Sequence, residues 1–483
     1  MKFFGKSIFV FICLLSLLLA VGLRTACAAK GDAVDRLAKA NAVFDVNKMG
    51  DMSDYDPSNP VVPTGDTIRV AVVASFSGPG AINGQLFWIM MQWAAHDINK
   101  RGGIFVDGKK KLVQVLKADH MGKPDQCKKI CERMILQEKV HALWGTDGSH
   151  LMKIVNEVAN KYKVISMNAS SGADDIQDAT NFGRYSFMTA FSTITQGRGM
   201  AYYYGQMRKK EKKFYILNQD YGMGHILGQA FRDGLKEYYP EAQVVGEDYH
   251  KLFLTDFAPY LTKIKAAGAE IIFTGDWSPD CKNLLKQARQ LGITLPFANV
   301  WMSEVGMLKE VGVEGTKGLV NINPFDMPTP FKTAPGFIKF YKTWNSLWKN
   351  KWKDSPYNGP GFEHLVGAGG SWLMNSYWLL SVIERAQSTD PEKIIKVWEG
   401  DTYRYVNGRV VMMRPCDHKI VQDLSIDEYV VPDQQKVSMT IPPYYWFNNT
   451  SFTGPVYKIP AAKVLPWMDP KLDRCKGKSG WGE

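Results

Sequence analysis

The chain is poor in cysteine, in long apolar runs and in the motifs that mark common enzymes. Seven cysteines in 483 residues are too few for a scaffold built from disulfides. A single long unbroken apolar run occurs, at the N-terminus, which argues against a polytopic membrane protein. No Gly-Lys-Ser/Thr follows a glycine-rich loop, and no His-Glu-x-x-His is present. The segment Gly145-Thr146-Asp147-Gly148-Ser149 lacks the glycine that a nucleophile elbow carries two residues after its serine. Zinc-finger and RNA-binding motifs are missing, and so is a helix with basic residues along one groove-fitting face. His120 beside Asp119 and His418 beside Asp417 are isolated pairs, which read as polar surface or interface groups. The pattern implies no metal and no cofactor, and without a nucleophile–base pair it favours binding over chemistry.

What is present is ordinary globular material. The 45% hydrophobic and 22% charged fractions supply enough apolar surface to offset chain entropy, which excludes disorder as the dominant state. The length corresponds to roughly two to three domains.

The apolar run from Ser7 to Leu23 follows Lys2 and Lys6 and ends at Ala26-Cys27-Ala28. This is the layout of a secretory signal, residues 1–28, so the mature chain is expected to be exported. The run is short for a membrane span of ~20 residues. The alternatives are an uncleaved anchor and a lipoprotein modified at Cys27, where Arg24 occupies a position that an aliphatic residue should hold. Cleavage removes three basic and no acidic residues, so the formal net charge falls from +11 to +8. The remaining Lys and Arg are scattered in short clusters such as 109–111 and 209–213, beside predicted strand starts. They read as solvated turns, so nucleic acid is not an expected partner. Five cysteines remain: Cys127, Cys131, Cys281, Cys416 and Cys475. Cys127 and Cys131 lie one helical turn apart, which is poor bridge geometry. A Cys416–Cys475 bond would staple the tail, and the odd count leaves at least one cysteine without an intramolecular partner.

Residues 29–66 are polar and proline-broken, and read as a short helix over 33–44 followed by a linker. Strands are predicted at 67–74, 111–116, 142–144 and 164–166, alternating with helices at 86–100, 124–138 and 149–162. A second block repeats the pattern, with strands at 213–218, 242–249, 271–274 and 297–299 and helices at 224–238, 257–267 and 279–291. Such alternation argues for parallel sheets covered on both faces. The fold class is therefore α/β, with two doubly wound lobes. Helices at 337–349 and 363–385 carry aromatic stripes that read as core packing. After residue 440 an irregular segment should wrap over the lobes and cross between them.

Ligands of open parallel sheets bind at the carboxyl ends of the strands, where helix N-termini attract anions. Three loops of the first block fit: residues 75–84, with Ser77 and Asn83; residues 145–149; and residues 168–172, with Asn168 and Ser170. Ser149 reads either as a helix N-cap or as a ligand group.

The residues then carry a family resemblance. Ser77-Gly78-Pro79 follows the first strand, and Asp97-Ile98-Asn99-Lys100-Arg101-Gly102-Gly103-Ile104 closes the first helix. Val140-His141-Ala142-Leu143-Trp144-Gly145, Asp220-Tyr221-Gly222, Thr255-Asp256-Phe257, Gln287-Ala288-Arg289-Gln290-Leu291-Gly292 and Met413-Arg414-Pro415-Cys416-Asp417-His418-Lys419 follow in order. From about residue 67 to 433 the chain resembles the periplasmic solute-binding proteins of the Leu/Ile/Val-binding type. The resemblance implies a type I periplasmic binding protein fold, with two lobes joined by three crossovers and closing over a solute in the cleft. It divides the chain into lobe one (67–190 and about 325–390), lobe two (191–324 and about 391–440) and a C-terminal extension (441–483).

The resemblance also implies site residues. Ser149 and Ser170, with the Asn168 backbone, would hold a solute carboxylate, and Asn83 takes a position often occupied by an aromatic residue. Tyr221 and Trp277 would pack on the solute from lobe two. Amino-acid binders place an acid after the strand at 297–299. Here Trp301 is nearest that position and Glu304 comes a few residues late. Either Glu304 or Asp276 therefore pairs with an ammonium, or the solute has none. The implied partners are a small solute (amino acid, carboxylate or amide) and the membrane permease of an ABC importer, with the chain monomeric and not an enzyme. The rival readings are a sensing module, an exported hydrolase using Ser149 or His418, and a basic surface protein for anionic lipid or polymer.

Overall fold

The β-branched run Ile68–Ala74 forms a strand buried on both faces. It pairs in parallel with Val113–Asp119 on one side and Ala142–Gly145 on the other. Ile165–Asn168 and Ser186–Met188 extend this sheet, again in parallel. The computed structural model describes residues 40–78, 80–277, 279–302, 311–312, 314–323, 339–340, 343, 346, 368–406, 408–430, 452–465 and 470–478. The signal segment, Glu304 and most of the helix expected at 337–349 lie outside the described residues.

Lobe two repeats the design. Its central strand, Lys213–Gln219, lies between Gln243–His250 and Ile271–Thr274, and Phe297–Asn299 and Leu319–Asn323 continue the parallel order. Leu424–Val430 and Phe452–Ile459 then add two antiparallel strands at one edge. In both lobes the first strand is flanked by the second and the third. The chain therefore leaves the centre in opposite directions, and a crevice opens at the carboxyl ends of the first and third strands.

The aromatic stripe of the late helix Ala368–Ala386 is core, as read from the sequence. Trp372 and Trp378 pack with Phe87, Trp93 and Trp144 of lobe one. The Trp378 indole donates to Asp401 Oδ2 at 2.7 Å. Asp97, in the first helix Ala81–Lys100, is 1% exposed. It accepts from Gly50 N at 2.6 Å, Arg101 Nη2 at 3.1 Å and the Tyr377 hydroxyl at 2.7 Å. One carboxylate thus ties the N-terminal segment, the first helix and the late helix together. Among the described residues no helix is long and apolar enough to cross a membrane.

Several expectations are corrected. Ala42–Val43 is a short strand paired with 403–404, not part of a helix, because that edge offers it a ladder; residues 33–39 lie outside the described residues. The first helix starts at Ala81 rather than 86, which places Asn83 in its first turn and not in the preceding loop. Residues 391–421 pack on lobe one: Ile394, Trp398, Tyr403 and Val411 all belong to its core. The chain therefore re-enters lobe two only at Leu424, not near 391. Among the elements without a sequence expectation are the strands Ser186–Met188 and Leu319–Asn323 and the helices Thr193–Tyr202 and Pro391–Trp398. Gly197 and Gly199 weaken the helix signal, yet close packing requires a glycine at 197. A Cβ there would lie 2.8 Å from that of Ala230 and 2.9 Å from the Leu227 carbonyl oxygen.

Cys416 and Cys475 form a disulfide, while Cys127, Cys131 and Cys281 are buried and take no part in a disulfide. Asp97→Ala leaves the Gly50 amide and the Tyr377 hydroxyl without an acceptor. It should lower the unfolding free energy by about 3 kcal/mol, read from urea denaturation, and a loss below about 0.5 kcal/mol would contradict this role.

Candidate functional site

The crevice of lobe one is built around Asp147, which follows the third strand. Its Oδ1 accepts from Ser75 N at 2.8 Å and its Oδ2 from Ser75 Oγ at 2.7 Å. Ser75 follows the first strand, so this one carboxylate braces the two loops that flank the crevice. His120, from the end of the second strand, is wholly buried. Its Nδ1 accepts from Gly122 N at 3.0 Å, so in the neutral ring Nε2 carries the proton and donates to Thr146 Oγ1 at 2.6 Å. Asp147 Oδ1 lies 3.4 Å from the same Nε2. Burial alone would raise the Asp147 pKa, but the His120 and Ser75 interactions outweigh it and hold the carboxyl below its usual value.

The candidate anion seat lies beside this brace. Ser149 is the first residue of the helix Ser149–Tyr162, and its N-cap is Gly148, so the N-cap reading of Ser149 is corrected. Gly148 has φ +90°, a conformation that favours glycine. The hydroxyls of Ser149 and Ser170 are half-buried and have no hydrogen-bond partner among the described residues. Asn168 is spent on building the loop. Its Oδ1 accepts from Ser170 N at 3.2 Å and Ser171 N at 2.8 Å, and its carbonyl accepts from Thr189 N and Ala190 N. Ser171 Oγ donates to the Thr146 carbonyl at 2.7 Å, joining this loop to the Asp147 loop.

Lobe two offers an aromatic face. Tyr221, after the central strand, and Trp277, after the third, stand at the equivalent crevice. The Trp277 indole donates to the Tyr221 hydroxyl at 3.0 Å, and that hydroxyl donates to Met223 Sδ at 3.3 Å. Burial raises the Tyr221 pKa, so the phenol stays protonated. Phe191 and Met223 are buried, and Tyr221, Trp277 and Trp301 pack against them. Trp301 meets Phe191 edge-on, with ring centroids 4.9 Å apart. The Trp301 Nε1–H is buried without a partner among the described residues.

Behind this face, Asp276 is fully buried and accepts from His250 Nε2 at 2.7 Å. Burial lifts the Asp276 pKa despite that bond. Asp280, also buried, accepts from Gln219 Nε2 at 2.7 Å and Phe253 N at 2.9 Å. The two acids thus support the loop from below.

The structure therefore gathers Tyr221, Trp277 and Trp301 into one cluster and leaves Ser149 and Ser170 with open hydroxyls in lobe one. Phe191, Asp147, Thr146 and Met223 were not singled out from the sequence. Phe191 precedes the helix that carried no signal, and Asp147 lay in a quoted loop without being read as its brace. Phe191 links the two sides: its ring covers Gly172 of lobe one, where a Cβ would lie 2.2 Å from Cε2. Ile226 of lobe two packs on the lobe-one cluster that contains Leu151 and Met152.

The surface reading of the two histidines is also corrected. His418 is buried and stacks on Phe187 with centroids 4.2 Å apart. Its nitrogens face the Ser186 carbonyl at 3.1 Å and Glu399 Oε1 at 3.0 Å, not Ser149. Among the described residues, one group of His, Cys, Asp or Glu is close enough to hold an ion: Cys416, Asp417 and Cys475. Two of its three ligand atoms are already bonded to each other.

The profile of the periplasmic binding proteins matches residues 67–432, most of the chain. The chain belongs to that family. Within it, the chain is 27% identical over 291 residues to the Leu/Ile/Val-binding protein homolog 4 of Brucella abortus, covering 57% of this chain and 66% of that relative. It thus spans just under two thirds of that relative's length. The Leu-, Ile-, Val-, Thr- and Ala-binding protein of Brucella ovis, solved in a closed conformation, superposes with a TM-score of 0.69 at 19% identity, covering 85% of this chain and 99% of that one. An ABC-transporter solute-binding protein of R. palustris, solved with 4-hydroxybenzoate, gives a TM-score of 0.62 at 22% identity over 76% and 94% of the two chains. These family members are solute-binding proteins, not enzymes, and the type I periplasmic binding fold read from the sequence is the fold observed.

Asp147 gives the site a pH signature. Its folded-state pKa is depressed, so its contribution to stability is complete above the unfolded value of about 4. That contribution is lost as the pH falls through the lower folded-state value. Asp147→Ala should therefore lose less stability than the wild type between about pH 5 and pH 2, followed by thermal denaturation. Parallel acid limbs would contradict the brace.

Proposed function

We propose that the chain is the extracytoplasmic solute receptor of an ABC importer, capturing a small solute between its lobes and delivering it to a membrane permease. The observation that carries this reading is the pairing of open groups at the two crevices. Among the described residues, the Ser149 and Ser170 hydroxyls in lobe one have no hydrogen-bond partner, and lobe two presents an aromatic cluster whose Trp301 indole N–H is likewise without one. A carboxylate or amide oxygen would take the serine hydroxyls. The body of the solute would rest on Tyr221, Trp277 and Trp301, with the indole N–H meeting a second acceptor. Asp276, whose Oδ2 is held by His250 but whose Oδ1 is buried without a hydrogen-bond partner among the described residues, and Glu304 are the two candidate partners for an ammonium on a solute that carries one.

Closure follows from differential binding. Contacts made with lobe two only in the closed form lower the free energy of that form, and the population shifts towards it. The solutes named for similar proteins, leucine, isoleucine, valine, threonine and alanine for one and 4-hydroxybenzoate for another, mark out the compounds to try. The family's periplasmic setting agrees with the signal read in residues 1–28.

Thermal-shift screening of the mature chain against amino acids, aromatic acids and amides should give a compound that raises the melting temperature. For that compound, Ser149→Ala should weaken calorimetric affinity about tenfold or more, the scale of a hydrogen bond to a charged group. An unchanged affinity would remove Ser149 from the site.

A further inference from the structure

The tail does more than cover the lobes. Strand Phe452–Ile459 is the last strand of the lobe-two sheet, paired with Leu424–Val430. The short helix Ala461–Val464 follows, where Ala461 N donates to Asp423 Oδ1 at 2.9 Å and the Lys463 carbonyl accepts from the Tyr238 hydroxyl at 2.7 Å. Ala461 and Leu465 pack on Met412 and Val421, beside the point where the chain re-enters lobe two. Together with Ser192 and Thr195 of the first crossover, and with Arg414 and Lys419, this helix lines one small cavity. The tail thus sits directly on two of the crossovers about which lobes of this kind rotate.

Beyond it, the chain is fastened to lobe one. The Leu472 carbonyl accepts from Ala179 N at 2.9 Å. Arg474 Nε donates to the Cys416 carbonyl at 2.9 Å, and its guanidinium lies 3.6 Å from the Phe182 ring centroid. Cys475 is bonded to Cys416. Cys416 itself belongs to lobe one, since Lys419 bridges to Met188 at the edge of that sheet. The disulfide therefore closes a ring across 59 positions. The ring leaves lobe one, passes through two strands of lobe two and returns. Five peptide steps separate Leu465 from Pro470, which even fully extended reach at most about 18 Å.

We propose that residues 452–478 are a fourth, disulfide-anchored connection between the lobes that limits how far the cleft opens. The proposal rests on the reading that the lobes close over a solute. By excluding the most open forms, the strap raises the closed fraction before solute arrives, and apparent affinity scales with that fraction. Releasing the strap should therefore weaken binding.

The test uses spin labels at Glu157→Cys in lobe one and Lys236→Cys in lobe two, both exposed, whereas the three native cysteines outside the disulfide are buried. Two forms release the strap. One is Cys416→Ser with Cys475→Ser. The other keeps the disulfide and inserts about twelve Gly/Ser residues between Leu465 and Pro470, enough to add a flexible span. The second form guards against a folding defect in the first. Pulsed electron–electron distances are measured without solute and with saturating L-leucine or 4-hydroxybenzoate, and affinity for the same compounds by calorimetry.

The expected result is a broader solute-free distribution in both forms than in the strapped chain, narrowing again with the compound, and affinity weaker by about threefold or more. Solute-free distributions that match the strapped chain overturn the strap, and so does unchanged or tighter binding. Broad distributions that neither compound narrows overturn the closing reading instead, and leave the strap as a limit on opening that solute does not reverse.

Discussion

A half-buried carboxylate between two diverging loops is the constraint on which the rest of lobe one depends. Doubly wound order brings the first and third strands side by side and sends their connections apart. The loops above them would splay without a bond between them. Asp147 supplies it, receiving both the amide and the hydroxyl of Ser75, while His120 and Thr146 surround its remaining lone pairs. With the brace in place, Ser149 begins its helix at a fixed position, and the Ser171–Thr146 bond sets the next loop against it. The position of the open serine hydroxyls is a consequence of this arrangement.

The two lobes solve the same geometric problem with different chemistry. Lobe one fills its crevice with carboxylate, imidazole and hydroxyl groups whose hydrogen bonds are nearly all internal. Lobe two fills the equivalent crevice with rings, and keeps its charges one layer down, where His250 and Asp276 pair in the interior. Charges taken out of water favour a single, well-defined arrangement only when each has its partner. The rings above them need no such partner, and can meet an apolar body by contact area alone. Under the proposed function, a solute held between these walls would meet polar groups on one side and rings on the other, which suits a small amphipathic molecule.

Much of this was legible in the sequence because strand and helix periods are local signals. The strands predicted between 67 and 299 lie close to their observed limits, while the Cys416–Cys475 bond was one of several pairings the sequence left open. The hidden parts were those decided by long-range packing. The helix Thr193–Tyr202 carries glycines that propensity disfavours and close packing demands, so Phe191 at its entrance went unread. Residues 391–421 were assigned to lobe two, yet Trp398 stacks on Phe187 of lobe one with centroids 4.3 Å apart, a contact no spacing rule predicts. Asn83 was misplaced by a helix boundary, the weakest element of such readings. His418 looked like a surface group because its partners, Ser186 and Glu399, lie 232 and 19 positions away.

The late return of the chain to lobe one also bears on the order in which the lobes can form. The central strand of lobe two, its parallel neighbours and their helices come from one continuous stretch, 193–323, so most of their contacts are available early in a chain that emerges from its N-terminus. Lobe one has its sheet between residues 68 and 188, but Phe87, Trp93 and Trp144 are covered by the helix Ala368–Ala386 and the strands after it. Until those residues arrive, a set of large aromatic surfaces has no cover. Contacts this distant in sequence are slow to form, and exposed apolar surface in a waiting intermediate invites aggregation. Lobe one, whose sheet is made first, thus waits across more of the chain for its cover than lobe two waits for its edge strands Leu424–Val430 and Phe452–Ile459, and that interval is where this chain has most need of a holding chaperone.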